Sequence, residues 1–164
     1  MTISDLIIEA LGIRGSVKFV KSFIREYQYT QTYAESLFKG QTKKATKMEI
    51  FKAFLNTVAS TKLILEDMQP HQNGYYNHEK QILALNKNKI KASTIAHEIT
   101  HGVQYRLGYD FKNYISYNDN NNDYEAYTNQ LTEYEAFMCG HKMESYTIGI
   151  KSYIKKQIKK GLAI

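Results

Sequence analysis

Apolar side chains recur along this chain mostly at three- and four-residue steps, the spacing that gathers them on one side of an α-helix. From Ser16 to Phe38 they stand at Val17, Val20, Phe23, Ile24, Tyr27, Ala34, Leu37 and Phe38, with a weaker Gln- and Thr-rich patch between Tyr29 and Thr32. One or two helices are predicted there. A shorter helix is expected ahead of them, from about Leu6 to Leu11, capped by Ser4 or Asp5 and stopped by Gly12 and Gly15. Ala45 to about Leu65 reads as another amphipathic helix, with Met48, Phe51, Phe54, Leu55, Val58 and Ala59 on its apolar side.

The texture changes at Gln69-Pro70-His71-Gln72-Asn73-Gly74, where the only proline and an Asn-Gly pair predict a loop or turn. Tyr75-Tyr76 and Ile82-Leu83-Ala84-Leu85, parted by a polar stretch, suit a β-hairpin. Helical spacing returns at Ile95, Ala96, Ile99, Val103 and Leu107, with Ser93 or Thr94 as cap and Gly108 as stop. Asn118 to Asp123 is too polar to pack and reads as a loop tip, after which Ala126, Leu131, Tyr134, Phe137 and Met138 predict a helix from Tyr124 to about Tyr146. The closing stretch, Ile148 to Ile164, wound as a helix, sets Ile150, Ile154 and Ile158 opposite Lys155, Lys156 and Lys159. The whole predicts a mainly helical α+β domain over residues 1–164: an N-terminal helical part (1–69), a core (70–147) and a basic C-terminal helix (148–164).

Composition narrows the picture without naming a function. With 164 residues, 43% of them hydrophobic, the chain can bury a core unaided by disulfides. A formal charge of +6 favours anionic partners, and the basic C-terminal helix could meet a nucleic acid or a membrane surface, although a packing helix with a solvated lysine face is the plainer expectation. The lone Cys139 excludes an internal disulfide and a Cys-x-x-Cys metal or redox pair, and is expected to be a small buried thiol. Met1 to Glu9 carries two acids where a signal peptide needs an apolar run, and no stretch approaches the roughly 20 apolar residues of a membrane span. A cytoplasmic protein with no transmembrane segment is expected.

His97-Glu98-Ile99-Thr100-His101 falls inside the helix expected after Thr94. A step of four is little more than one helical turn, so both imidazoles leave the same face and can share one cation. Glu98, one position along, can take a proton from water at that cation. A typical catalytic zinc set needs one more protein ligand. The long motif His-Glu-x-x-His-x-x-Gly-x-x-His fails here, because Gln104 and Leu107 occupy its last two fixed positions. Glu133 and Glu135 are candidates on a later helix, about 200° of rotation apart, and Asp123 is an earlier one.

These residues resemble a small gluzincin-type zinc metallopeptidase, similar to the ImmA/IrrE-like group and more loosely to SprT-like proteases. The resemblance runs from Gly74 to Cys139: Gly74-Tyr75-Tyr76 with Ile82 to Leu85 as the hairpin, Thr94 to Gly102 as the metal helix, and Glu133-Tyr134-Glu135-Ala136 as the Glu-x-x-Ala of the third-ligand helix. It implies a zincin-like fold, with a small hairpin-based sheet packed beside an active-site helix and a third-ligand helix. It implies His97, His101 and Glu133 as ligands of Zn2+, Glu98 as general base, Glu135 as the competing ligand, and a protein or peptide substrate cleaved by metal-activated water. Phe137 stands where such proteins often carry an Asp or Asn that supports a ligand histidine.

A tetrahedral oxyanion wants a further donor, for which Tyr105, Tyr109 and His141 are candidates among 14 tyrosines and 5 histidines. The strand Ile82 to Leu85 could receive an extended substrate along its edge. Other readings are a basic nucleic-acid-associated or protein-binding module with an auxiliary or inactive zinc site, and a deformylase, which would need a cysteine ligand upstream of the motif. His71 and His78 are expected in solvent. Calcium is not expected at Asp119-x-Asn121-x-Asp123, where Tyr124 and Gln130 replace the needed Gly and Glu.

Overall fold

The computed structural model describes residues 1–116 and 124–162, so the expected loop tip at Asn118–Asp123, with Asp123 as a rival ligand and the calcium-loop pattern, lies outside the described residues. Within them the chain is mainly helical with a small three-stranded sheet. The order is α1 (Ile3–Leu37), α2 (Lys47–Ser60), β1 (Lys62–Glu66), β2 (Gly74–Asn77), β3 (Ile82–Asn86), α3 (Ala92–Arg106), α4 (Tyr124–Thr128), α5 (Leu131–Lys142) and α6 (Glu144–Lys159).

The first helix begins earlier than its sequence suggests, because Thr2 and Asp5, not Ser4, form a reciprocal capping box. Gly12 breaks α1 as expected: its φ of 72° and ψ of 177° lie in a region open to glycine and strained for other residues. The buried side of the long second part is Phe19, Phe23, Tyr27, Thr30, Gln31 and Ala34. The polar patch near Thr30 is therefore no weak point but part of the interior. Val17, half exposed, lies off this face.

A second capping box, Thr46 with Glu49, starts α2, whose buried side is Ile50, Ala53, Phe54, Thr57 and Val58. This helix stops at Ser60 rather than near Leu65. Lys62–Glu66 is instead a strand paired in parallel with β3, Leu63 opposite Leu83 and Leu65 opposite Leu85. The expected hairpin is present as β2 antiparallel to β3, Tyr75 opposite Ala84. The strand order β1-β3-β2 makes β3 the centre, so the Ile82–Leu85 strand has no edge to offer a substrate. Residues Met1–Ile3 bond along the outside of β1, which leaves β2 as the open edge among the described residues.

Buried on almost every side, α3 forms the axis of the fold: Ala92 and the whole run from Thr94 to Gln104 are buried. Lys91 stands at its N-cap without a side-chain cap, in place of Ser93 or Thr94. Gly102 lets α2 and β2 close on it, since a Cβ there would come within 2.3 Å of Thr57. The helix expected from Tyr124 to Tyr146 is divided into α4, α5 and the start of α6, with Met143 at the join. In α6, Ile150 and Ile154 are fully buried while Ile158 is 40% exposed, so most of its apolar side is spent on packing. Cys139 is a free, buried thiol. No helix among the described residues is long and apolar enough to cross a membrane.

Candidate metal centre

Helices α3 and α5 cross closely where Gly140 meets the backbone of Ser93; a Cβ on it would lie 2.7 Å from the Ser93 carbonyl oxygen and 3.1 Å from the His97 Cβ. Seven positions before Gly140 on the same helix, about two turns, Glu133 falls on that same inward side. His97 Nε2 lies 3.2 Å from Glu133 Oε1, and His101 Nε2 lies 2.7 Å from Glu133 Oε2. The ligand atoms of these three buried side chains all fall within 4.8 Å of one another, and they are positioned to hold a metal ion. The donor set, two imidazole nitrogens and a carboxylate, fits a borderline cation of the zinc type.

Electrostatics follow from this crowding. Burial pulls His101 toward its neutral form, but the Glu133 carboxylate overrides it and lifts the imidazole to about 9. Burial likewise works against the Glu133 charge, yet His101 and His97 hold that carboxyl far below the usual carboxylate range. Glu98, 5% exposed, has one oxygen 3.9 Å from His97 Nε2. Desolvation raises its pKa against the pull of the two histidines.

Glu135 is not part of this cluster. Fully buried, it accepts hydrogen bonds from Tyr27 (2.9 Å) and Tyr109 (2.8 Å). Burial raises its pKa, and the donors Tyr109, Gln104 and Tyr27 work against that rise. Phe137 leaves no orienting acid after Ala136; its ring meets the His97 ring edge-on at 4.5 Å. Orientation of His101 comes instead from Gln104, whose Oε1 lies 2.9 Å from Nδ1. The signal was available in the sequence as a polar residue three positions after His101 on a buried helix face.

The expected oxyanion donors fare differently. Tyr109 belongs to the Glu135 network, on the far side from the cleft. Tyr105 lies in the cleft wall, stacked between Phe111 and His78 with ring centroids 3.9 and 4.5 Å away. His141 sits exposed at the rim, 3.8 Å from Glu144. Nearest the triad are two tyrosines that spacing did not select. Tyr114 donates to Glu133 Oε2 at 3.0 Å, and the Tyr127 hydroxyl also bonds Glu133. Burial and the adjacent carboxylate push both phenols upward, so both remain donors at neutral pH. His71 is exposed as expected, but His78 is half-buried, its Nδ1 3.1 Å from the Tyr76 hydroxyl, and burial beside Arg106 lowers its pKa.

His97, Glu98 and His101 line a cleft of about 490 Å³ together with Gly74, Tyr75 and Tyr76 of β2. Lys91, His71, Tyr105, Phe111 and Tyr114 also line it. No family model, curated protein or solved structure matches this chain, so the site speaks through its own geometry.

Proposed function

We propose that the protein is a zinc-dependent peptidase of zincin-like architecture, with His97, His101 and Glu133 holding the ion and Glu98 as general base. The observation that carries this reading is Glu98: a nearly dehydrated carboxylate, next to a buried His-His-Glu triad, opening on a cleft. When bound, the cation supplies a Lewis acid that acidifies water toward neutrality and polarises a carbonyl. Glu98 is placed to accept the proton from attacking water and to pass it to the departing amine, and its upward shift suits a base that must also act as an acid. Tyr114 and Tyr127 each give their single O–H to Glu133 and so steady that ligand. Along β2, the free backbone groups of Gly74 to Asn77 suit an extended peptide laid as an added strand.

Two measurements test the reading. Metal analysis of purified protein should give near-stoichiometric zinc that is lost in His97→Ala and Glu133→Ala and kept in Glu98→Gln. Against a broad peptide library, Glu98→Gln should slow hydrolysis by about 10²–10⁴-fold. A Glu98→Gln protein that holds zinc and digests the library as fast as the parent defeats the mechanism.

A further inference from the structure

The amide of Gln104 is held so that only one orientation satisfies its neighbours. Its Nε2 lies 2.9 Å from the Thr132 carbonyl oxygen and 3.2 Å from Glu135 Oε1. A carbonyl oxygen accepts and never donates, so the NH2 end must face α5. The amide oxygen is thereby turned to His101 Nδ1, 2.9 Å away. Being an acceptor itself, it requires a hydrogen on Nδ1, and the Nε2 of a neutral His101 then carries the lone pair. Nε2 is the atom that faces Glu133.

Glu135 is fixed in turn from the N-terminal helix. Tyr27 donates to its Oε1 and Tyr109 to its Oε2. Gln31 donates to the Tyr109 hydroxyl at 2.9 Å and to the Lys43 carbonyl at 2.8 Å, and accepts from the Ala45 amide at 3.1 Å. An unbroken run of hydrogen bonds thus leads from α1 to the imidazole of His101, buried from Tyr27 onward and partly buried where Gln31 meets the α1–α2 connection.

We propose that Gln104 and Glu135 are positioning residues that hold His101 as its Nδ1–H tautomer with Nε2 presented to a divalent cation, and that α1 anchors this chain through Tyr27 and Gln31. The inference rests on the metal reading above and assigns a task to the N-terminal helix. Partners of this kind typically contribute 10–100-fold in metal affinity.

The test is competition for zinc between the full-length protein and a chromophoric chelator at fixed pH, together with the imidazole ¹⁵N–¹H spectrum. Gln104→Leu, of similar volume, should weaken zinc binding by about 10–100-fold and remove the protected Nδ1–H resonance of His101. Tyr27→Phe, which removes one donor to Glu135 and leaves the bond from Gln104 to the Thr132 carbonyl in place, should weaken zinc binding in the same direction by a smaller factor. Equal zinc affinity in the parent and Gln104→Leu overturns the inference while leaving the metal reading intact. So does a folded Tyr27→Phe that binds zinc as tightly as the parent. A parent that takes up no zinc overturns the metal reading, and the inference with it.

Discussion

The contact between His101 and Glu133 makes the stability of the metal-free protein depend on alkaline pH. The two groups lie 2.7 Å apart, buried between α3 and α5. Burial opposes the imidazolium, but the Glu133 carboxylate outweighs it and His101 reaches about 9 from an ordinary value of 6.5. At 1.36 kcal/mol per pKa unit, that gap corresponds to about 3 kcal/mol. The folded value is above the unfolded one, so the contribution is complete below pH 6.5 and is lost as pH rises through about 9. Urea unfolding followed by circular dichroism, with chelator present, should show the midpoint falling by about 1.5 M between pH 6 and 9.5 if the slope is ~2 kcal/mol per molar. Glu133→Gln removes the carboxylate and should flatten this loss, which separates it from the titration of surface lysines and tyrosines. If the parent and Glu133→Gln lose the same stability over that interval, the buried ion pair is not what the pH is acting on.

Zinc uptake should carry the matching signature: a cation must displace the His101 proton, so apparent affinity should rise about tenfold per pH unit below about 9 and level off above it, as read by competition titrations in a pH series. Gly140→Ala should cost about 1–3 kcal/mol in urea unfolding, because the new methyl meets the Ser93 carbonyl and the His97 Cβ, and it should weaken zinc binding as α5 is pushed off α3.

Some of this site can be read from local spacing and some cannot. His97, Glu98 and His101 are legible because they sit within one helical turn, where the geometry is fixed by the backbone alone. Glu133 and Glu135 are harder. Both are fully buried, so no hydrophobic pattern separates them; what does is the crossing of α3 and α5 at Gly140, seven positions after Glu133. Tyr114 and Tyr127 act through the fold around them, and among 14 tyrosines no spacing distinguishes them. For the fold, the capping boxes and the Gly12 break are local signals, and the β2–β3 hairpin follows from its turn. The strand Lys62–Glu66 is not local: its pairing partner begins 20 residues later, and its apolar run simply continues the pattern of α2. Thr30 and Gln31 lower the apparent amphipathicity of α1 because that face serves a polar network rather than a hydrocarbon core.

Placing so much charge inside one helix crossing needs a compensating arrangement, and the contacts supply two. Three carboxylates, Glu98, Glu133 and Glu135, are buried with His97 and His101, and isolated charges at such depth would each cost several kcal/mol. Glu135 is relieved chiefly by its three side-chain donors, Tyr27, Tyr109 and Gln104, with a smaller contribution from the His101 charge. Glu133 has one neutral donor bonded at 3.0 Å, Tyr114, besides Tyr127, and otherwise faces the histidines. In the absence of a cation it relies on a proton held by His101. In the proposed centre a divalent ion would take the place of that proton and offset the charges of both Glu133 and Glu98. On that reading the two acids of α5 would divide the work by environment: the one relieved by neutral donors orienting, and the one left short of them binding.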